Sequence, residues 1–96
     1  MAERSTRFDA AEFLKTPEEM AAYLDAYFEE DAGDDVLIRA ALNDIARAKG
    51  MTHIARDAGL GRESLYKALS SSGNPEFATI MKVMKALGLR LHAIAI

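Results

Sequence analysis

The sequence contains no cysteine and no tryptophan. Without thiols, neither a disulfide framework nor a thiolate metal site is possible, which is compatible with a reducing cytoplasm. Long hydrophobic runs are also missing. A bilayer-spanning helix needs about 20 apolar residues in succession, and no stretch here approaches that. The start, Met1-Ala2-Glu3-Arg4, carries an acid early and leads into no apolar run, unlike a secretory signal. A cytoplasmic protein that does not associate with membranes is therefore expected.

The residue groupings of an enzyme are equally scarce. There is no nucleophile–base arrangement, no metal-ligand spacing and no phosphate-cradling glycine loop, and 96 residues leave little room for a pocket. No catalytic residue, cofactor or metal is expected. His53 has Asp57 one helical turn further on, but two ligands do not make a metal site and no nucleophile accompanies them. As an acid–base or metal candidate His53 reads as an ordinary polar surface residue, and His92 as a structural one.

What is present is ordinary globular material, half of it apolar and 28% charged. A chain of this length makes one small core, for which self-association is a common additional support. The net charge of −3 looks unsuited to a nucleic-acid partner until the chain is divided. Residues 1–35 carry three bases against eleven acids, and residues 36–96 carry nine bases against four. Such asymmetry points to two surfaces with different partners, or else to an acidic helix face that is merely solvated.

The pattern predicts an all-α chain. Residues 1–7 are polar, and Phe8 to Leu14 carries apolar residues without a clear period. Thr16-Pro17-Glu18-Glu19 forms a helix start, with Thr16 as N-cap, Pro17 at the first position and Glu19 closing a capping box. Met20, Tyr23, Leu24, Tyr27 and Phe28 then stripe a helix that ends near Glu30. After the turn at Gly33, a second helix runs through Val36, Leu37, Ala40, Ala41, Asp44, Ile45 and Ala48 to Gly50. Two short helices follow, Met51 to Ala58 closed by Gly59, and Gly61 to Leu69 closed by Ser70–Gly73. Asn74-Pro75 reads as the start of a last helix striped by Phe77, Ile80, Met81, Met84 and Leu87. The tail from Leu89 to Ile96 reads as a strand.

The segment from Ile54 to Leu69 has the composition of a helix-turn-helix. Two short helices that cross closely require a tiny residue at the crossing, here Ala55. The turn between them favours a glycine four residues later, here Gly59. Ile54, Ala58, Leu60, Leu65 and Ala68 or Leu69 are the apolar contacts that set the angle.

On these residues the stretch from Asp35 to Leu91 resembles the lambda-repressor-like (XRE-type) helix-turn-helix domain. Asp44 to Thr52, Arg62 to Leu69, Gly73-Asn74-Pro75 and Lys82 to Leu91 are similar to HigA-like addiction-module antidote proteins, and the likeness extends back through Phe8-Asp9 to Tyr23-Leu24. Gly61 departs from the family, which usually has a serine or threonine cap there. The expected architecture is five helices and a short C-terminal β-strand: an acidic segment, residues 1–34, with one amphipathic helix, then a lambda-repressor-like helix-turn-helix domain over residues 35–96 that ends in the strand.

In a helix-turn-helix the second helix enters the major groove, with its N-terminal residues at the base edges. Arg62, Glu63, Ser64, Tyr66 and Lys67 are thus the expected DNA-binding residues. Arg62 suits a guanine and Glu63 a cytosine amine, although Glu63 would also simply stabilise the helix N-terminus. Thr52 and His53 open the preceding helix, and Asn74 the last one, where amides can meet phosphate.

One such domain reads one half-site, so double-stranded operator DNA implies a homodimer. The apolar tail is a candidate interface, since pairing with its symmetry mate, or with a strand near Arg7 to Asp9, would remove a free edge. The resemblance implies a further partner, a small basic toxin, for which the acidic helix bearing Tyr23, Tyr27 and Phe28 is chemically suited. The expected function is a DNA-binding antitoxin that neutralises a toxin and represses its own operon. The alternative is an XRE-type transcriptional regulator without a toxin partner, and a helical interaction module is a third reading.

Overall fold

The computed structural model describes residues 12, 14–31 and 33–96. The expected polar start at 1–7, the segment Phe8 to Ala11 and the pairing strand near Arg7 to Asp9 lie outside the described residues. Five helices appear among the described ones: α1 (Pro17–Glu30), α2 (Val36–Lys49), α3 (Met51–Ala58), α4 (Arg62–Leu69) and α5 (Phe77–Ala86). α1 packs on α2, α2 also meets α3 and α4, and α3 touches α4 and α5.

α1 begins with the capping box expected from its sequence. The Glu19 amide donates to Thr16 Oγ1 at 3.1 Å, and the Thr16 amide donates back to Glu19 Oε1 at 3.0 Å. The Lys15 amide adds a bond at 2.9 Å to the same carboxylate oxygen. These backbone donors, Lys15 foremost, hold the Glu19 carboxyl below its ordinary value. Met20 and Leu24 are buried, Tyr23 and Tyr27 are half-buried, and Phe28 is exposed.

α1 is joined to α2 by polar as well as apolar contact. The Tyr23 hydroxyl donates to Asp44 Oδ2 at 2.6 Å and lies 3.3 Å from the Tyr27 hydroxyl. The two rings are tilted with centroids 5.0 Å apart, a favourable aromatic geometry. Burial, followed by the bond to the Asp44 carboxylate, raises the Tyr23 hydroxyl above its usual range. The two tyrosines assigned from sequence to a partner surface are thus engaged within the fold, and Phe28 keeps the exposure that such a surface needs.

The centre of the molecule is one cluster drawn from all five helices. Met20, Leu42, Ile45, Ile54, Leu65, Val83 and Leu87 are its largest fully buried side chains. Burying each removes apolar area worth about 1.5–3 kcal/mol. On α2 the buried residues are Arg39, Ala41, Leu42, Ile45 and Ala46, so the inward stripe differs from the expected one. Val36 and Leu37 are only half-buried, and Ala40 is exposed. On α5, Val83 and Met84 point inward with Leu87 just beyond. Phe77 and Met81, expected on that stripe, are exposed instead.

Two further expectations are corrected. α5 begins at Phe77 with Glu76 as its N-cap, so Asn74 and Pro75 belong to the preceding loop. The cause lies at Gly73, where a Cβ would run into the backbone carbonyl oxygens of Lys67 and Ala68. This close approach keeps the chain against the end of α4 and delays its turn into α5. The tail from Leu89 to Ile96 forms no strand. Its sequence is strand-like, but a strand needs a hydrogen-bonding neighbour, and no described residue bonds to the backbone of residues 90–96. Leu89 and Leu91 nevertheless pack against the core.

Candidate nucleic-acid interface

The pair α3–α4 is shaped by small residues and one left-handed turn. Ala55, 3% exposed, lets the backbones come close. Gly59 ends α3 at φ 74°, a conformation in which a Cβ is penalised. The Leu60 amide reaches back to the Ala55 carbonyl at 2.8 Å, closing the helix end. α4 then starts at Arg62 from Gly61, which supplies no side-chain cap, in keeping with its departure from the usual serine or threonine.

α4 has a sharp division of faces. Leu65 and Leu69 are 0% and 2% exposed and anchor the helix in the core. Arg62, Glu63, Ser64, Tyr66 and Lys67 are all exposed. The Arg62 guanidinium lies over the Tyr66 ring at 5.5 Å from its centroid, with Nη2 3.3 Å from the hydroxyl. This i, i+4 stacking orders a long cationic side chain at the first turn of the helix. An ordered guanidinium loses less entropy on docking to a base edge or a phosphate.

Thr52 and His53 are exposed in the first turn of α3. His53 Nε2 is 3.3 Å from Asp57 Oδ2, a surface i, i+4 pair, and no group of three metal-binding side chains occurs among the described residues. Asn74 is exposed too, but it sits in the loop after α4 and not at a helix start.

The position of α4 depends on residues that sequence reasoning missed. Arg39 on α2 is 5% exposed. Its Nη1 donates to the Ser70 carbonyl at the end of α4, and its Nη2 lies 3.1 Å from Asp35 Oδ1. Asp35 holds a left-handed backbone, φ 63°, at the start of α2. The Ser70 hydroxyl donates to the Lys67 carbonyl at 2.8 Å and closes the last turn. Gly73 packs directly behind that turn. Periodicity held a signal for Arg39, which lies three residues before Leu42 and seven before Ala46, on the buried stripe. An arginine buried at such a position must have partners.

A family model described as "Probable addiction module antidote protein" matches residues 4–95. An "Uncharacterized protein" of Haemophilus influenzae is 57% identical over 92 residues, which cover 96% of this chain and 93% of that protein. No solved structure matches.

Proposed function

The chain belongs to the family of probable addiction module antidote proteins, and from that premise we propose that it is a sequence-specific DNA-binding antitoxin. It neutralises a small toxin and represses the operon that encodes both. The single observation that carries DNA binding is the outward polar face of α4, where five exposed polar residues ride on the buried anchors Leu65 and Leu69. In this reading α3–α4 is a lambda-repressor-like helix-turn-helix, and α4 lies in the major groove. Arg62, ordered over Tyr66, takes a guanine edge, while Ser64 and Glu63 read or abut neighbouring bases. Lys67, Thr52, His53 and Asn74 meet phosphates. A homodimer places two such helices on successive half-sites.

Two measurements test the proposal. Fluorescence anisotropy of the full chain with DNA from its own upstream region should show binding that unrelated DNA competes away poorly. Co-expression with the protein encoded beside the gene should yield a stable complex and relieve any growth arrest that this neighbour causes alone. Equal affinity for unrelated DNA removes operator recognition. Unrelieved arrest removes the antidote role.

A further inference from the structure

The first two turns of α4 carry two side chains that are coupled before any ligand arrives. The Arg62 guanidinium lies over the Tyr66 ring, 5.5 Å from its centroid, and Nη2 donates to the Tyr66 hydroxyl at 3.3 Å. Tyr66 is 43% exposed, so a large aromatic surface is presented to solvent together with the charge. Its mounting is firm. The neighbouring Leu65 is fully buried, Leu69 follows one turn on, and the Ser70 carbonyl that ends the helix is held by Arg39.

The chemistry of this pair narrows what it can read. A guanidinium that takes O6 and N7 of a guanine with both prongs lies in the plane of that base pair. A ring stacked against the guanidinium then lies at the level of the adjoining base pair. The Tyr66 hydroxyl accepts from Arg62 and still has its own hydrogen to donate. At that level the ring therefore brings an apolar edge and a hydroxyl donor together. Thymine alone matches both in the major groove, with a methyl group beside the O4 acceptor. Cytosine and adenine present an amine there, and guanine presents acceptors without a methyl.

We propose that Arg62 and Tyr66 form one reading unit, selecting a guanine with a thymine at the adjoining base pair. Arg62 takes the guanine. Tyr66 positions Arg62 and reads the thymine through its methyl group and O4. The inference rests on the reading that α4 enters the major groove, and adds the class of step that it selects there.

The test uses the full chain and randomised DNA duplexes. Selection of bound duplexes should yield a half-site with a guanine whose preference Arg62→Ala abolishes, and a thymine at a base pair next to it. On that duplex, replacing the thymine by deoxyuridine, which lacks only the methyl group, should weaken binding about two- to fourfold in anisotropy titrations. Tyr66→Leu alters an exposed side chain and should melt like the wild type. It should lose the thymine preference and lower the guanine preference about two- to fivefold, the worth of an exposed cation–π contact. Tyr66→Phe keeps the ring, and should retain the discrimination against deoxyuridine and most of the guanine preference. A selected neighbour other than thymine, or a Tyr66→Leu protein that keeps both preferences, overturns the reading unit and leaves the groove reading intact. So does a Tyr66→Leu protein weakened equally on every sequence, which would put the ring on the phosphate backbone. A wild-type chain that selects no sequence overturns both.

Discussion

At the scale of single residues, the position of α4 turns on a charge that is out of water. Arg39 is buried between α2 and the end of α4, and its two contacts differ in worth. The carboxylate of Asp35 is 61% exposed, so the pair is screened and contributes little. The part-buried Ser70 carbonyl accepts from the guanidinium and also from the Gly73 amide, at 3.1 Å. Arg39→Met should therefore cost about 1.5–3 kcal/mol in chemical denaturation, the worth of a hydrogen bond from a charged donor. Asp35→Asn, which tolerates the same left-handed backbone, should stay within about 0.5 kcal/mol. Equal losses would mean that the ion pair, and not the carbonyl contact, holds Arg39. Gly73 acts at the same joint. Gly73→Ala must push a methyl group into the carbonyls of Lys67 and Ala68 and should cost about 1–3 kcal/mol by overpacking. A melting temperature equal to that of the wild type would show that the loop swings away at no expense.

At the scale of elements, the helices that carry their own end signals were legible and those set by tertiary contact were not. Thr16-Pro17 with Glu19 starts α1 where expected, and Gly50 and Gly59 end α2 and α3 where expected. Asn74-Pro75 carries an equally good start signal, yet α5 waits until Phe77, because the close packing of Gly73 behind α4 is invisible to local sequence. The tail differs for a related reason, since a strand needs a bonded neighbour and no described residue bonds to the backbone of residues 90–96. The outward face of α4 was readable because Leu65 and Leu69 set its phase, whereas Arg39 was hidden by its charge. The α1–α2 joint offers a pH test. The Tyr23 hydroxyl is raised in the folded chain, chiefly by burial and then by Asp44. Its contribution is therefore complete below the unfolded tyrosine value of about 10 and is lost as pH rises beyond it. Unfolding free energies from pH 8 to 11 should fall more steeply for the wild type than for Tyr23→Phe. At neutral pH that variant should be about 1 kcal/mol less stable, through loss of the bond to Asp44. Parallel pH profiles would place the alkaline sensitivity elsewhere.

At the scale of the whole molecule, a net charge of −3 has to be reconciled with the polyanionic partner we propose. The reconciliation is spatial. α1 carries five acids and no base, while α4 and the last turns of α2, α3 and α5 carry exposed Arg47, Lys49, Arg56, Arg62, Lys67 and Lys85. Screening shortens electrostatic reach to about 8 Å at physiological salt, so a duplex on α4 responds mainly to the charges beside it and little to the overall sum. Affinity for the operator should consequently fall steeply with salt, each neutralised phosphate adding about 0.9 to the logarithmic slope. Lys67→Ala should lower that slope by about 1 and weaken operator and unrelated DNA alike. Arg62→Ala should act differently, costing about 1–3 kcal/mol on the operator and much less on unrelated sequences. Anisotropy titrations at several salt concentrations distinguish the two. An Arg62→Ala protein that loses affinity equally on every sequence would reassign Arg62 to the phosphate backbone, and recognition would then have to pass through Glu63, Ser64 and Tyr66.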